Sequence, residues 1–133
     1  MTQATHTLRL TLLPGEYSVA RLRPSDPLAE WMTAGSLWCV ARSPAELSVV
    51  AERSRVPDGV RAEHQWRVIR FEGPLPFGLT GILASVADPL AAAGIPIFAF
   101  STFDTDYVMI GESNMERATA ALRAAGHHVL VSE

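Results

Sequence analysis

With 133 residues, 48% hydrophobic and 19% charged, the chain has the composition of one globular domain or of two very small modules sharing a core. Its net charge is −3, and all 11 basic residues are arginines scattered along the chain, so no basic stripe with interleaved aromatics exists to neutralise nucleic-acid phosphates. The absence of lysine excludes Schiff-base chemistry and a P-loop, and no apolar run approaches the roughly 18 residues of a membrane span.

The opening MTQATHTLRLTLL lacks a basic n-region with a long apolar stretch and a cleavage site, and reads as a strand in which Leu8, Leu10 and Leu12 alternate with polar neighbours. Pro14-Gly15 marks a turn, and EYSVARL resumes as a strand to Leu22. Asp26 as a cap and Pro27 at the first helical position predict a short helix to about Thr33, stopped by Gly35. SLWCVARS and ELSVVAE read as two strands around Ser43-Pro44. The single cysteine, Cys39, lies in the first of these, where a buried thiol in a reducing, cytoplasmic compartment is expected. Residues 53–65 form a loop with the turn signal Pro57-Asp58-Gly59 and mark the join between two halves.

In the second half, WRVIRFEG is a strand. Leu79, Ile82, Leu83, Val86, Leu90 and Ala93 recur at helical spacing up to Gly94, with Pro89 inside the pattern. IPIFAF and DYVMIG are strands, Ser113 and Glu116 form a capping-box pattern, a helix burying Met115, Ala118, Thr119 and Leu122 ends at Gly126, and HHVLV closes as a strand. This order, β-α-β-β-α-β, is the split ferredoxin-like unit of an α+β fold. The first half reads as a shortened copy without a second helix, so residues 1–62 and 63–133 are expected to be tandem modules. The strand at Leu8–Leu13 would then fill the place of the first module's missing last strand.

The stretch GIPIFAFSTFDTDYVMIGE sets two hydroxyls and two carboxylates where two apolar strands turn. Such groups either bond their own backbone or hold something small and polar. A free amino acid needs donors for its carboxylate, acceptors for its ammonium group and a pocket for its side chain. The loop opening the long helix offers amides between Gly78 and Gly81, with the Thr80 hydroxyl. Asp104, Asp106 and carbonyls near Ser101 and Thr102 offer acceptors, and Ile82, Phe98, Phe100 and Phe103 offer apolar walls. Elsewhere the chemistry is thin. His127 and His128 point to opposite faces of a strand, His6 and His64 fall in loops, and no metal-binding spacing or nucleophile elbow occurs. Neither a catalytic residue nor a cofactor or metal is expected.

The segment EGPLPFGLTGILASVADPLAAAGIPIFAFSTFDTDYVMI closely resembles the characteristic stretch of the ACT-domain family, and in particular small bacterial double-ACT proteins related to aspartokinase regulatory domains and to CASTOR-type arginine sensors. LTLLPGEYSVARL, SLWCVARSPAELSVVAE and VPDGVRAEHQWRVIRFEGPLPF fit the same subfamily, so the likeness spans nearly the whole chain. It implies amino-acid binding by paired modules, without catalysis, between the loop entering one module's first helix and the second strand of its partner. Carried over, Leu79, Thr80, Gly81 and Ile82 match that loop, and Ser101, Thr102, Phe103, Asp104 and Asp106 match the strand-end motif. The resemblance assigns Asp106 to the ligand's cationic group, with Asp104 as its rival. Unlike the aspartokinases, this chain has no kinase domain, so the expected partners are a small amino-acid effector, a second copy in a homodimer, and a regulated protein not identified by the sequence. Two other readings stand beside this one: an interaction module with a vestigial cleft, and an enzyme using Asp104 and Asp106 as an acid–base pair.

Overall fold

The computed structural model describes residues 6–76 and 78–132. The first five residues, included in the expected opening strand, lie outside the described residues. The chain forms two compact units, one from residues 1–14 and 67–133, the other from residues 15–66.

In the first unit, β5 (Ala62–Phe71, which contributes its second half), α1 (Ile82–Ala92), β6 (Ile97–Ser101), β7 (Asp106–Gly111), α2 (Met115–Ala124) and β8 (His128–Val131) follow the β-α-β-β-α-β order. The fold is therefore α+β and ferredoxin-like. The sheet order is β6-β7-β5-β1-β8, where β1 is Arg9–Leu12. This corrects the expectation for the opening strand. It completes nothing in the first module but lies between β5 and β8, antiparallel to the former (Leu10↔Phe71) and parallel to the latter (Leu10↔Val129). Its alternation is explained by that place: Leu10 is fully buried, packing with Ile69, Phe71, Val86, Leu90, Val108, Ile110 and Leu122. Burying each such side chain stabilises the fold by about 1.5–3 kcal/mol.

The long helix starts three residues later than its apolar periodicity, at Ile82, with Gly81 in the left-handed region (φ 80) as its N-cap. The periodicity read from Leu79 therefore includes a loop residue. At α2 the expected Ser113–Glu116 box is not the cap. Glu112–Asn114 make a 3-10 turn, Asn114 is the N-cap, and no side chain caps it. The two histidines do differ in exposure, His127 buried and His128 exposed, but only His128 lies on the strand, which begins there.

The second unit is a sheet in the order β3 (Cys39–Arg42), β4 (Leu47–Glu52), β2 (Tyr17–Leu22) and the first half of β5. Its core holds Ala20, Met32, Leu47, Val49 and Ala51. The α-helix expected at 26–33 is only a 3-10 turn, Glu30–Thr33. Asp26 does not cap it; its carboxylate accepts from the Arg23 N–H and Nε, both at 3.2 Å, closing a separate turn. Too few residues remain between Pro27 and Gly35 (φ 96) to repay helix nucleation. β5 begins at Ala62, so His64 is on a strand and not in the expected loop, and its side chain meets the Ser18 hydroxyl at 2.6 Å. A bulge at Gln65 (φ 65) inserts one extra residue between the Val19↔Glu63 and Tyr17↔Trp66 pairs.

Candidate functional site

The β6–β7 hairpin ends in a turn whose polar groups largely serve the backbone. The Thr102 N–H donates to the Thr105 carbonyl at 2.8 Å, the Thr105 N–H returns to the Thr102 hydroxyl at 3.3 Å, and the Thr105 hydroxyl donates to the Phe71 carbonyl at 2.7 Å. At the last rung of the ladder, Ser101 faces Asp106, and its hydroxyl donates to Asp106 Oδ1. That bond orients the Asp106 carboxylate and leaves Oδ2 without a hydrogen bond among the described residues. The Asp104 carboxylate has no side-chain hydrogen bond among the described residues; its carbonyl accepts from the Leu75 N–H at 2.7 Å.

This last bond ties the segment leading into α1 onto the hairpin tip. The approach is close at Gly73, where a β-carbon would stand 3.1 Å from the Asp104 carbonyl and 3.2 Å from Thr105 Cβ. The loop continues through Leu79, whose N–H donates to the Pro76 carbonyl, to Gly81 and the first turn of α1, where no side chain caps the amides. His6 lies against this corner. Its Nε2 is 2.8 Å from the Thr80 carbonyl, and its N–H donates to the Ser85 hydroxyl at 3.2 Å, which in turn donates to the Gly81 carbonyl at 2.8 Å.

The two pieces enclose a cleft of about 220 Å³ lined by Leu75, Pro76, Leu79, Ile82 and residues 101–106. Seven of the expected residues thus come together there: Leu79, Ile82, Ser101, Thr102, Phe103, Asp104 and Asp106. Thr80 and Gly81 shape the loop without lining the cleft. Phe98 does not reach it either. In β6 it alternates with Ile97, which packs on the helix-covered core, so Phe98 belongs to the other sheet face, as does the Phe100–Tyr107 stacked pair (centroids 5.0 Å apart). Leu75, Pro76 and Thr105 were not anticipated. The Pro-Leu-Pro run just before the glycines was the available signal, because a rigid apolar segment there must lie against the hairpin. Phe103 and Leu79 stand 76% and 44% exposed at the rim. Among the described residues no group of His, Cys, Asp and Glu could hold a metal ion.

An ACT-domain family model matches residues 61–124, and a second model, for an N-terminal domain, matches residues 15–59. Residues 61–124 thus form an ACT domain. A crystal structure of a protein from Agrobacterium tumefaciens is 36% identical, with a TM-score of 0.92, over 97% of this chain and 96% of that one. The regulatory subunit of aspartate kinase from Thermus flavus shares the fold at 15% identity, with a TM-score of 0.61 over 92% of this chain and 99% of that subunit. The human cytosolic arginine sensor for mTORC1, subunit 1, is 43% identical over 51 residues, which are 38% of this chain and 16% of the sensor. The chain thus matches about a sixth of the length of that curated relative.

Proposed function

We propose that this protein is a non-catalytic, cytoplasmic regulatory protein that binds a free amino acid or a closely related metabolite in the cleft between the α1 loop and the β6–β7 tip. The observation that carries the reading is the convergence of Leu79 and Ile82 with Ser101, Asp104 and Asp106 around one space. Amides of the uncapped first turn of α1 suit a carboxylate, since the helix end carries partial positive charge. Asp106, oriented by Ser101, suits the ammonium group. Leu75, Leu79, Ile82 and Phe103 supply an apolar wall. At about 220 Å³ the space is smaller than the roughly 300–1,000 Å³ of pockets that hold drug-sized ligands, which fits an amino acid. The exposed apolar rim of Leu79, Leu83 and Phe103 is the surface on which a second copy would close the cleft, giving a homodimer that reports occupancy to a regulated protein.

Isothermal titration against the twenty amino acids, with wild type and Asp106→Ala, tests this directly. One or a few should bind the wild type, and Asp106→Ala should bind them far more weakly. A folded dimer that binds none of them refutes the reading. The same rim supports a second reading, an interaction module whose cleft is vestigial; that reading predicts dimerisation without any amino-acid binding.

A further inference from the structure

At one end of β2, in the unit of residues 15–66, a cleft of about 320 Å³ is lined by Arg21, Leu22, Arg23, Asp26, Val60 and Arg61. It shares no residue with the cleft around Asp106. Three arginines and one aspartate line it, in a chain whose net charge is −3. The carboxylate is already engaged, since Asp26 accepts from both the N–H and the Nε of Arg23. Among the described residues neither Arg21 nor Arg61 has an acidic partner within ion-pair distance.

The strands force these two arginines together. One residue beyond the Ala20↔Ala62 pair, the Arg21 N–H donates to the Arg61 carbonyl at 2.9 Å, so their side chains are cross-strand neighbours. Like charges set opposite one another in a sheet are destabilising. Arg21 spends one Nη2 contact, at 3.3 Å, on the Ala45 carbonyl, and Arg61 makes no side-chain hydrogen bond among the described residues. Both arginines thus line the cleft with most of their donors unspent, beside Leu22 and Val60, whose side chains alternate with theirs and pack on the unit's core.

We infer that this cleft binds a small oxyanion, a phosphate or a polycarboxylate. The two forks match adjacent oxygens of such a group in the bidentate manner that lysine cannot reproduce. Bound anion converts the Arg21–Arg61 repulsion into a shared attraction, and Arg23, held in place by Asp26, supplies a third positive charge at the rim. An open site of this kind is weakened by salt.

The test is thermal unfolding of the full chain in rising inorganic phosphate and, separately, citrate, each against sodium chloride at matched ionic strength, for wild type, Arg21→Gln and Arg61→Gln. Wild type should gain a few degrees in Tm from one or both oxyanions beyond chloride, because a ligand that binds only the folded state raises its stability. Both variants should lose that gain, and Arg61→Lys should keep only part of it. In chloride alone the sign reverses: Arg61→Gln removes the like-charge pair and should unfold at the same or a higher temperature than wild type. Arg53→Gln, which alters an arginine already paired with Glu16, should keep the oxyanion gain and serves as the control. A gain from phosphate only, or citrate only, names the oxyanion. No gain beyond chloride, or an equal gain in wild type and the Arg21 and Arg61 variants, overturns the proposal.

Discussion

His127 completes a hydrogen bond that Pro89 removes from its own helix. In α1 the carbonyl of Ser85 would accept from the N–H four residues on, but that residue is Pro89, which has none. The buried His127 imidazole takes the vacancy, with Nε2 at 2.7 Å from the Ser85 oxygen. A carbonyl only accepts, so Nε2 carries the proton, and the lone pair of Nδ1 accepts the Leu8 N–H at 3.1 Å. One ring thus joins the residue before β1, the middle of α1 and the residue before β8.

Replacing that ring should be costly. His127→Ala leaves the part-buried Leu8 N–H and the buried Ser85 carbonyl without these partners and opens a small cavity, a loss of about 2–4 kcal/mol. Urea unfolding checks it. Pro89→Ala restores a helical donor to the Ser85 carbonyl, so the double variant should recover part of the loss. Strict additivity in that double-mutant cycle would show that the two residues do not share this carbonyl.

In the proposed amino-acid site the two carboxylates should not be equivalent. Asp106 sits on β7 and is oriented by Ser101, whereas Asp104 serves the loop through its backbone carbonyl, which any substitution keeps. Asp106→Asn should lower affinity for the bound amino acid by roughly 1.5–3 kcal/mol, the range of a hydrogen bond to a charged group, and Asp104→Asn by much less. Calorimetric titration of both variants separates them; a larger loss at Asp104 would reverse the assignment.

A pH effect is expected from Glu52. The Arg55 Nε at 2.7 Å, with the Ser36 hydroxyl, holds its carboxyl below the ordinary value of 4.5. A carboxyl with a depressed folded-state pKa adds stability that is fully present above 4.5 and is lost as the pH falls through the lowered value. Wild type should therefore exceed Glu52→Gln in stability at neutral pH by a small margin, since the pair is partly exposed, and the two should converge in acid. Thermal melts across that range decide it. Gly35→Ala should disturb the same pair, because a β-carbon there would stand 2.6 Å from Glu52 Oε1 and 2.9 Å from Arg55 Nε.

The opening strand should be indispensable to the unit that carries the amino-acid cleft. Leu10→Ala is expected to cost about 2–5 kcal/mol, as for other fully buried leucines. A chain of residues 63–133 alone lacks the strand between β5 and β8 and should show no cooperative unfolding transition by circular dichroism in urea. A sharp transition from that fragment would contradict the role given to β1.

Much of this fold was legible in local pattern. The apolar runs EYSVARL and DYVMIG marked true strands, and glycines 94 and 126 marked true helix ends, both at positive φ. The misreadings have a common cause. The spacing of Leu8, Leu10 and Leu12 says that one face is buried but not beside which strands, because strand pairing is non-local. Asp26 and Ser113 are good caps by residue type, yet Arg23 claims the one and a 3-10 turn precedes the helix at the other. At the cleft, residue chemistry located Asp106 and Ser101, while strand parity was the overlooked rule that turns Phe98 away. The partner of Ser85 could have been sought by counting four residues back from Pro89, but only tertiary structure reveals that His127 supplies it.

The place of β1 also sets an order of events during synthesis. Residues 9–12 leave the ribosome before every other strand described, yet one of their two neighbours, β8, is made after all the others. The unit of residues 15–66 can gather its core as soon as it emerges, whereas the other unit must keep an apolar strand waiting until β8 has been made. Nascent chains stalled before residue 128 should therefore be the aggregation-prone species, with a completed first fold and an open second one.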